Sequence, residues 1–163
     1  MGLKLLALIP ARGGSKGIPR KNVKKICDKP LIAWSIEAAQ KSKYIDKLVV
    51  STEDKEISNI AKKYGADIPL SRPEELSRDD TLIVPVILDA IKKLPGYDWV
   101  LLLQPTSPLR TEEDIDRMIR LCYKRGVNAA VSVCLANKHP NWMYEISGHG
   151  YLKPYIDTPL ISR

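Results

Sequence analysis

Apolar residues recur along this chain in two spacings, as short unbroken runs and as stripes three or four residues apart. The runs Leu5–Ile9, Leu48–Val50 and Trp99–Leu103 predict buried strands, with Asp67–Leu70 as a shorter one before the Pro73 turn. Asn128–Leu135, with its β-branched residues, predicts a last strand. Between the runs lie helical stripes. One starts near Pro30 with Ile32, Ile36 and Ala39 on one side; the next is Ile57, Ile60, Ala61 and Tyr64, stopped by Gly65. Val84, Ile87, Leu88 and Ile91 predict a third helix that Pro95-Gly96 ends. Thr111-Glu112-Glu113-Asp114 has the form of a capping box, opening a helix whose inner face is Ile115, Met118, Ile119 and Cys122. Strands alternating with amphipathic helices predict an α/β, doubly wound, mostly parallel sheet with helices on both faces. After Leu135 the periodicity fails, and Pro140, Gly148, Gly150, Pro154 and Pro159 predict an irregular C-terminal arm.

Composition narrows this picture. With 163 residues, 44% of them hydrophobic, the chain is expected to form one layered domain. No apolar run approaches the roughly 20 residues of a membrane-spanning helix. Cys27, Cys122 and Cys134 are odd in number and widely spaced, which predicts reduced thiols rather than a disulfide frame or zinc site. A soluble, cytoplasmic protein with no membrane partner is the expectation. Net charge is +7, and its location matters more than its size. Lys4, Arg12, Lys16, Arg20, Lys21, Lys24 and Lys25 occupy a first stretch of 27 residues that holds no acid; the rest balances, 19 basic against 19 acidic. The surplus therefore sits on and beside one glycine-bearing loop, which predicts an anionic ligand there. A nucleic-acid surface would carry several basic stripes with interleaved aromatics, and this chain has no Phe and only 6% aromatic residues.

Ligands of open parallel sheets bind beyond the carboxyl ends of the strands, which brings two distant segments together. The first is Pro10-Ala11-Arg12-Gly13-Gly14-Ser15-Lys16-Gly17-Ile18-Pro19-Arg20-Lys21-Asn22. Gly13, Gly14 and Gly17 allow positive φ and close backbone approach to an anion. Arg12 can grip phosphate oxygens with two prongs, Lys16 and Lys21 act as point charges, and Ser15 adds a hydroxyl. The bland alternative is a solvated turn. Neither a Walker loop nor Gly-x-Gly-x-x-Gly is present. The second segment is Gln104-Pro105-Thr106-Ser107-Pro108-Leu109-Arg110. Its prolines lower the entropy cost of holding Gln104, Thr106, Ser107 and Arg110 toward a ligand. Its alternative reading is a rigid connection to the helix capped at Thr111.

"IPARGGSKGIPRKN" and "LLLQPTSPLR", with "LIAWSIEAA", "VVSTEDKEI" and "RPEELSRDDT" in order between them, strongly resemble the acylneuraminate cytidylyltransferases. The resemblance runs nearly continuously over residues 4–134. It implies a Rossmann-like nucleotidyltransferase domain over 1–135, with 136–163 as a shortened extension or dimerisation arm. The implied activity transfers CMP from CTP to a nonulosonic, sialic-type sugar acid and releases pyrophosphate. The implied partners are CTP, an acidic sugar and a second copy of the chain as a homodimer; the implied cofactor is Mg²⁺, with ligands not identified in this chain.

Carried over residue by residue, the resemblance places Ala11, Arg12, Gly13, Gly14, Ser15, Lys16, Lys21 and Asn22 on the nucleotide. Arg72 and Thr81 match positions near the cytosine nucleotide, with a surface charge and a helix N-cap as their bland alternatives. Gln104, Thr106 and Ser107 match positions on the sugar side. Arg12, Lys21 and Arg163 are the implied catalytic residues, Arg163 aligning with the start of an Arg-rich segment. Two departures and one shared motif bear on this. Family members continue past the end of this sequence, into the segment that supplies the metal carboxylates. Trp142 stands near where some members place a sugar-contacting lysine, with Lys138 and His139 close by. Activators of legionaminate carry nearly the same first loop, so the sugar stays open. Activation of 3-deoxy-manno-octulosonate and a non-catalytic nucleotide-binding fragment are the alternative readings.

Overall fold

The computed structural model describes residues 2–15, 17–134 and 143–155. The sheet is built from strands β1 (Leu5–Pro10), β4 (Lys47–Thr52), β5 (Asp67–Ser71) and β6 (Trp99–Leu102), in the order β5-β4-β1-β6. All three pairings are parallel, with Leu8 opposite Val49 on one side and Leu102 on the other. Residues Leu5 to Ile9 are each 1% exposed or less, because β1, like its neighbour β4, is paired on both edges and covered on both faces. Burying a side chain of this size stabilises the fold by about 1.5–3 kcal/mol.

Helices α1 (Leu31–Lys41), α2 (Lys55–Lys63) and α4 (Glu112–Arg125) cover one face. There Leu5, Ala7 and Ile9 meet Ile32, Ile36, Ile57, Ala61, Ile115 and Ile119. Helix α3 (Ile83–Lys93) covers the other, where Ala90 and Ile87 pack with Leu6, Leu8, Val49 and Leu70. The expected doubly wound parallel sheet is therefore present. At α4, Thr111 Oγ1 accepts from Asp114 N at 3.2 Å and Asp114 Oδ2 accepts from Thr111 N at 3.1 Å, a complete capping box. Gly126, at φ 61°, ends that helix in the left-handed conformation.

Three expectations are corrected. In α3 the buried positions are Val86 and Ala90, whereas Val84, Leu88 and Ile91 are exposed. Its apolar arc is wide, with Asp89, Lys92 and Lys93 confined to one side, so periodicity alone does not choose which part of that arc faces the sheet. Residues 128–134 form no strand, and Val131 and Val133 are exposed. Among the described residues no strand pairs with them, and β propensity without a ladder partner does not hold a strand. Between the first loop and α1, a hairpin of β2 (Lys25–Ile26) and β3 (Lys29–Pro30) appears that the pattern did not predict. Its turn residues Cys27 and Asp28 both have positive φ, the conformation of a tight two-residue hairpin turn.

The chain divides into two compact units, Met1–Asn128 and Ala129–Arg163. The described part of the second contains an antiparallel hairpin, β7 (Tyr144–Ile146) with β8 (Leu152–Pro154), where an irregular arm was expected. Among the described residues the three cysteines are free, and no helix is long and apolar enough to cross a membrane.

Candidate functional site

Beyond Pro10 the chain stays in the sheet for one more residue, since Ala11 N donates to Ser51 O at 2.9 Å. It then leaves as a loop held from several sides. Asn22 Nδ2 donates to Arg12 O at 2.9 Å, which explains why Asn22 is only 5% exposed. Arg20 pairs with Asp54 and Glu56, and Gly13 N donates to Glu53 Oε1 at 2.7 Å. Asp54 also accepts from Ile57 N at 2.9 Å as the N-cap of α2. The Arg20 guanidinium holds the Asp54 carboxyl below its ordinary range, while Asp54 and Glu56 raise Arg20.

The glycines work differently from expectation. Gly13 and Gly14 do not enter the left-handed region, whereas Arg20, at 57°, does. Gly13 is required for room, because a Cβ there would stand 2.5 Å from Asp54 Oδ2. Two ion pairs hold Arg20 in this left-handed conformation, which costs a non-glycine residue roughly 1–2 kcal/mol.

The second wall comes from the end of β5. Arg72 Nη2 donates to Ser51 O at 2.8 Å and its Nε to Ser51 Oγ at 3.1 Å. Arg72 is buried, not the surface charge of the bland alternative, and burial pulls its guanidinium below the ordinary value while Glu53 opposes that shift. In the following turn Thr81 Oγ1 donates to Glu75 O at 3.2 Å. Thr81 is no helix cap, since α3 begins after Leu82 without a side-chain cap bond. The third wall is the loop after β6. Leu103 N donates to Leu8 O, and the Gln104 carbonyl accepts from Ser107 N at 3.3 Å and from Arg110 Nη2 at 3.2 Å. Arg110 thus folds back on its own loop rather than toward a ligand, and its Nη1 is buried without a hydrogen-bond partner.

These walls enclose a cavity of about 290 Å³ at the carboxyl ends of the strands. Arg12, Lys21 and Arg72 line it together with Gln104, so residues more than ninety positions apart share one space. Ser15, Asn22, Thr81 and Thr106 add polar groups, and Leu76, Ile83 and Val86 an apolar side. Ala11, Gly13, Gly14 and Ser107 stay outside its lining; Ala11 is buried in the sheet and Ser107 is exposed. Lys16, Arg163, Lys138, His139 and Trp142 lie outside the described residues. Sequence reasoning missed Arg78 and Asp79, which also line the cavity. Arg12 Nη1 donates to Arg78 O at 2.7 Å, and its Nη2 stands 2.9 Å from Asp79 Oδ1. The four consecutive charged or polar residues Ser77-Arg78-Asp79-Asp80 were the available signal.

The lining thus offers four basic side chains against one carboxylate, an arrangement suited to a polyanion. Among the described residues no group of three or more His, Cys, Asp or Glu side chains could hold a metal ion, and Asp79 faces Arg12. The described donors do not by themselves fit a divalent cation.

Residues 6–140 match the family described as Cytidylyltransferase. The chain is 39% identical over 159 residues to a CMP-N,N'-diacetyllegionaminic acid synthase of Legionella pneumophila, covering 94% of this chain and 68% of that one. It is 41% identical over 139 residues to an N-acylneuraminate cytidylyltransferase of Escherichia coli O18:K1:H7, covering 85% of this chain and 33% of that one. The chain therefore spans about two thirds of the first relative and one third of the second. A solved CMP:2-keto-3-deoxy-manno-octonic acid synthetase complexed with CTP superposes with a TM-score of 0.66 over 76% of this chain and 48% of that one. At 22% identity it shares the fold alone. With the match covering both loops that wall the cavity, the chain belongs to the cytidylyltransferase family.

Proposed function

We propose that this chain carries the nucleotide-binding and transfer site of a CTP-dependent enzyme that joins CMP to a nonulosonic sugar acid and releases pyrophosphate. The observation that carries this reading is the meeting of Arg12 and Gln104 in one cavity beyond the strand ends. In the reaction, the anomeric hydroxyl attacks the α-phosphorus of CTP in line, and the bond to the pyrophosphate oxygen breaks. Such a transfer needs positioning and charge neutralisation more than covalent catalysis. Arg12 and Lys21, at the mouth of the first loop, are read as stabilising the charge that grows on the phosphoryl oxygens. Ser15 and the main chain around Gly13 and Gly14 are read as phosphate donors. Thr81, with Arg72 behind it, is read as facing the base, and Gln104 and Thr106 as facing the sugar. The magnesium implied by the family is read as travelling with the nucleotide's phosphates. A cytoplasmic homodimer completes the reading, on the family resemblance alone.

The test is a pyrophosphate-release assay with CTP, Mg²⁺ and a panel of acidic sugars. Release that requires a nonulosonic acid is expected. Turnover with 3-deoxy-manno-octulosonate alone would shift the sugar assignment. CTP binding without release on any acid would reduce the chain to a nucleotide-binding module.

A further inference from the structure

The carboxylate of Glu53 bridges two loops that wall the cavity, at residues beside its lining. Its Oε1 accepts from Gly13 N at 2.7 Å in the first loop, and its Oε2 accepts from Ser77 Oγ at 3.1 Å in the turn after β5. It belongs to neither wall itself, since it follows β4 directly. Its position is exposed, and its charge is felt by Arg72. An exposed glutamate usually extends into water. Here it instead takes up a main-chain N–H of the glycine loop, the kind of donor that anions seek.

We propose that Glu53 is an affinity-setting residue that occupies, in the ligand-free protein, a donor for which the phosphates of the incoming nucleotide compete. One N–H serves one anionic oxygen well, and a second anion nearby meets the carboxylate's charge. Binding of a polyphosphate then requires Glu53 to release Gly13, and the side chain's negative charge lowers affinity for phosphate but not for the nucleoside. The loop does not depend on Glu53 for its shape. Arg20, through Asp54 and Glu56, and Asn22, through the Arg12 carbonyl, hold it independently.

This inference rests on the nucleotide reading of the cavity, and titration calorimetry separates the two. Glu53→Gln keeps an acceptor for Gly13 or Ser77 and removes only the charge. The dissociation constants of CTP and of inorganic triphosphate are expected to fall about two- to fivefold in Glu53→Gln, a range typical of one exposed, screened charge. The constant for cytidine is expected to stay unchanged. Equal or weaker triphosphate binding by Glu53→Gln, or an equal gain for cytidine, would overturn the role of Glu53. Tighter inorganic triphosphate with no CTP-specific binding by the wild type would sink the nucleotide reading and leave Glu53 standing. No binding of either anion by either protein would overturn both.

Discussion

The side chains around the cavity separate into those that hold the loops and those that face the space between them. Asn22 and Arg72 are nearly buried and spend their hydrogen bonds on main-chain carbonyls, so their presence in the motif reflects architecture first. Arg12 and Lys21 face the cavity. Arg12's side chain is 31% exposed, and its partner Asp79 is as open, so the pair contributes no more than about 1 kcal/mol to stability. Arg12→Ala and Lys21→Ala are each expected to lower nucleotidyl transfer by roughly 10²–10³, the typical effect of removing one preorganised donor. Their melting temperatures should stay close to the wild type. Near-normal turnover in either variant would remove that residue from the reaction. Arg12 and Lys21 were legible because they sit in one acid-free stretch of sequence, whereas Arg72 and Arg78 join them from a distant segment. The acidic residues were not legible, because Glu56 and Asp79 reach Arg20 and Arg12, and Glu53 reaches the Gly13 main chain, across folds of the chain that no local spacing encodes.

Among the elements, α2 has the tightest link to the loop, because its N-cap Asp54 also binds Arg20. Asp54→Ala is expected to cost about 1 kcal/mol of unfolding free energy at neutral pH through the lost cap alone. The pH dependence follows from the direction of its shift. The folded-state value lies below the ordinary 3.8, so the contribution is present above 3.8 and disappears as pH falls from there through the lower folded value. Asp54→Asn keeps the cap acceptor and loses the charge, so its stability should fall less steeply below pH 4 than the wild type's. Parallel acid-unfolding slopes for the two proteins would contradict this. Elements whose apolar stripe is narrow, such as α2 and α4, were readable with their buried faces. Helix α3 was readable as a helix only, because the apolar arc of Val84, Val86, Ile87, Leu88 and Ile91 is wider than the face it buries, and Asp89, Lys92 and Lys93 mark only part of the outside. The 128–134 segment shows the same limit for strands, where Val131 and Val133 supply propensity without a partner.

At the scale of the whole sheet, β1 is central, hydrogen-bonded to β4 on one edge and β6 on the other. Its amides from Leu6 to Ile9 are therefore expected to exchange with solvent more slowly than those of the edge strands β5 and β6, approaching the global unfolding limit. Hydrogen exchange read residue by residue checks this, and faster exchange in β1 than in β6 would refute the order of the sheet. The same arrangement sets a schedule. Synthesised from the amino end, β1 meets β4 after some forty residues, but its other edge stays open until Trp99–Leu102 has emerged. Until then a nascent chain presents an oily ribbon with one unsealed side, and only the arrival of β6 turns a sticky intermediate into a protected one. Slow translation upstream of Trp99 would lengthen that vulnerable interval, and a chaperone would be most needed within it.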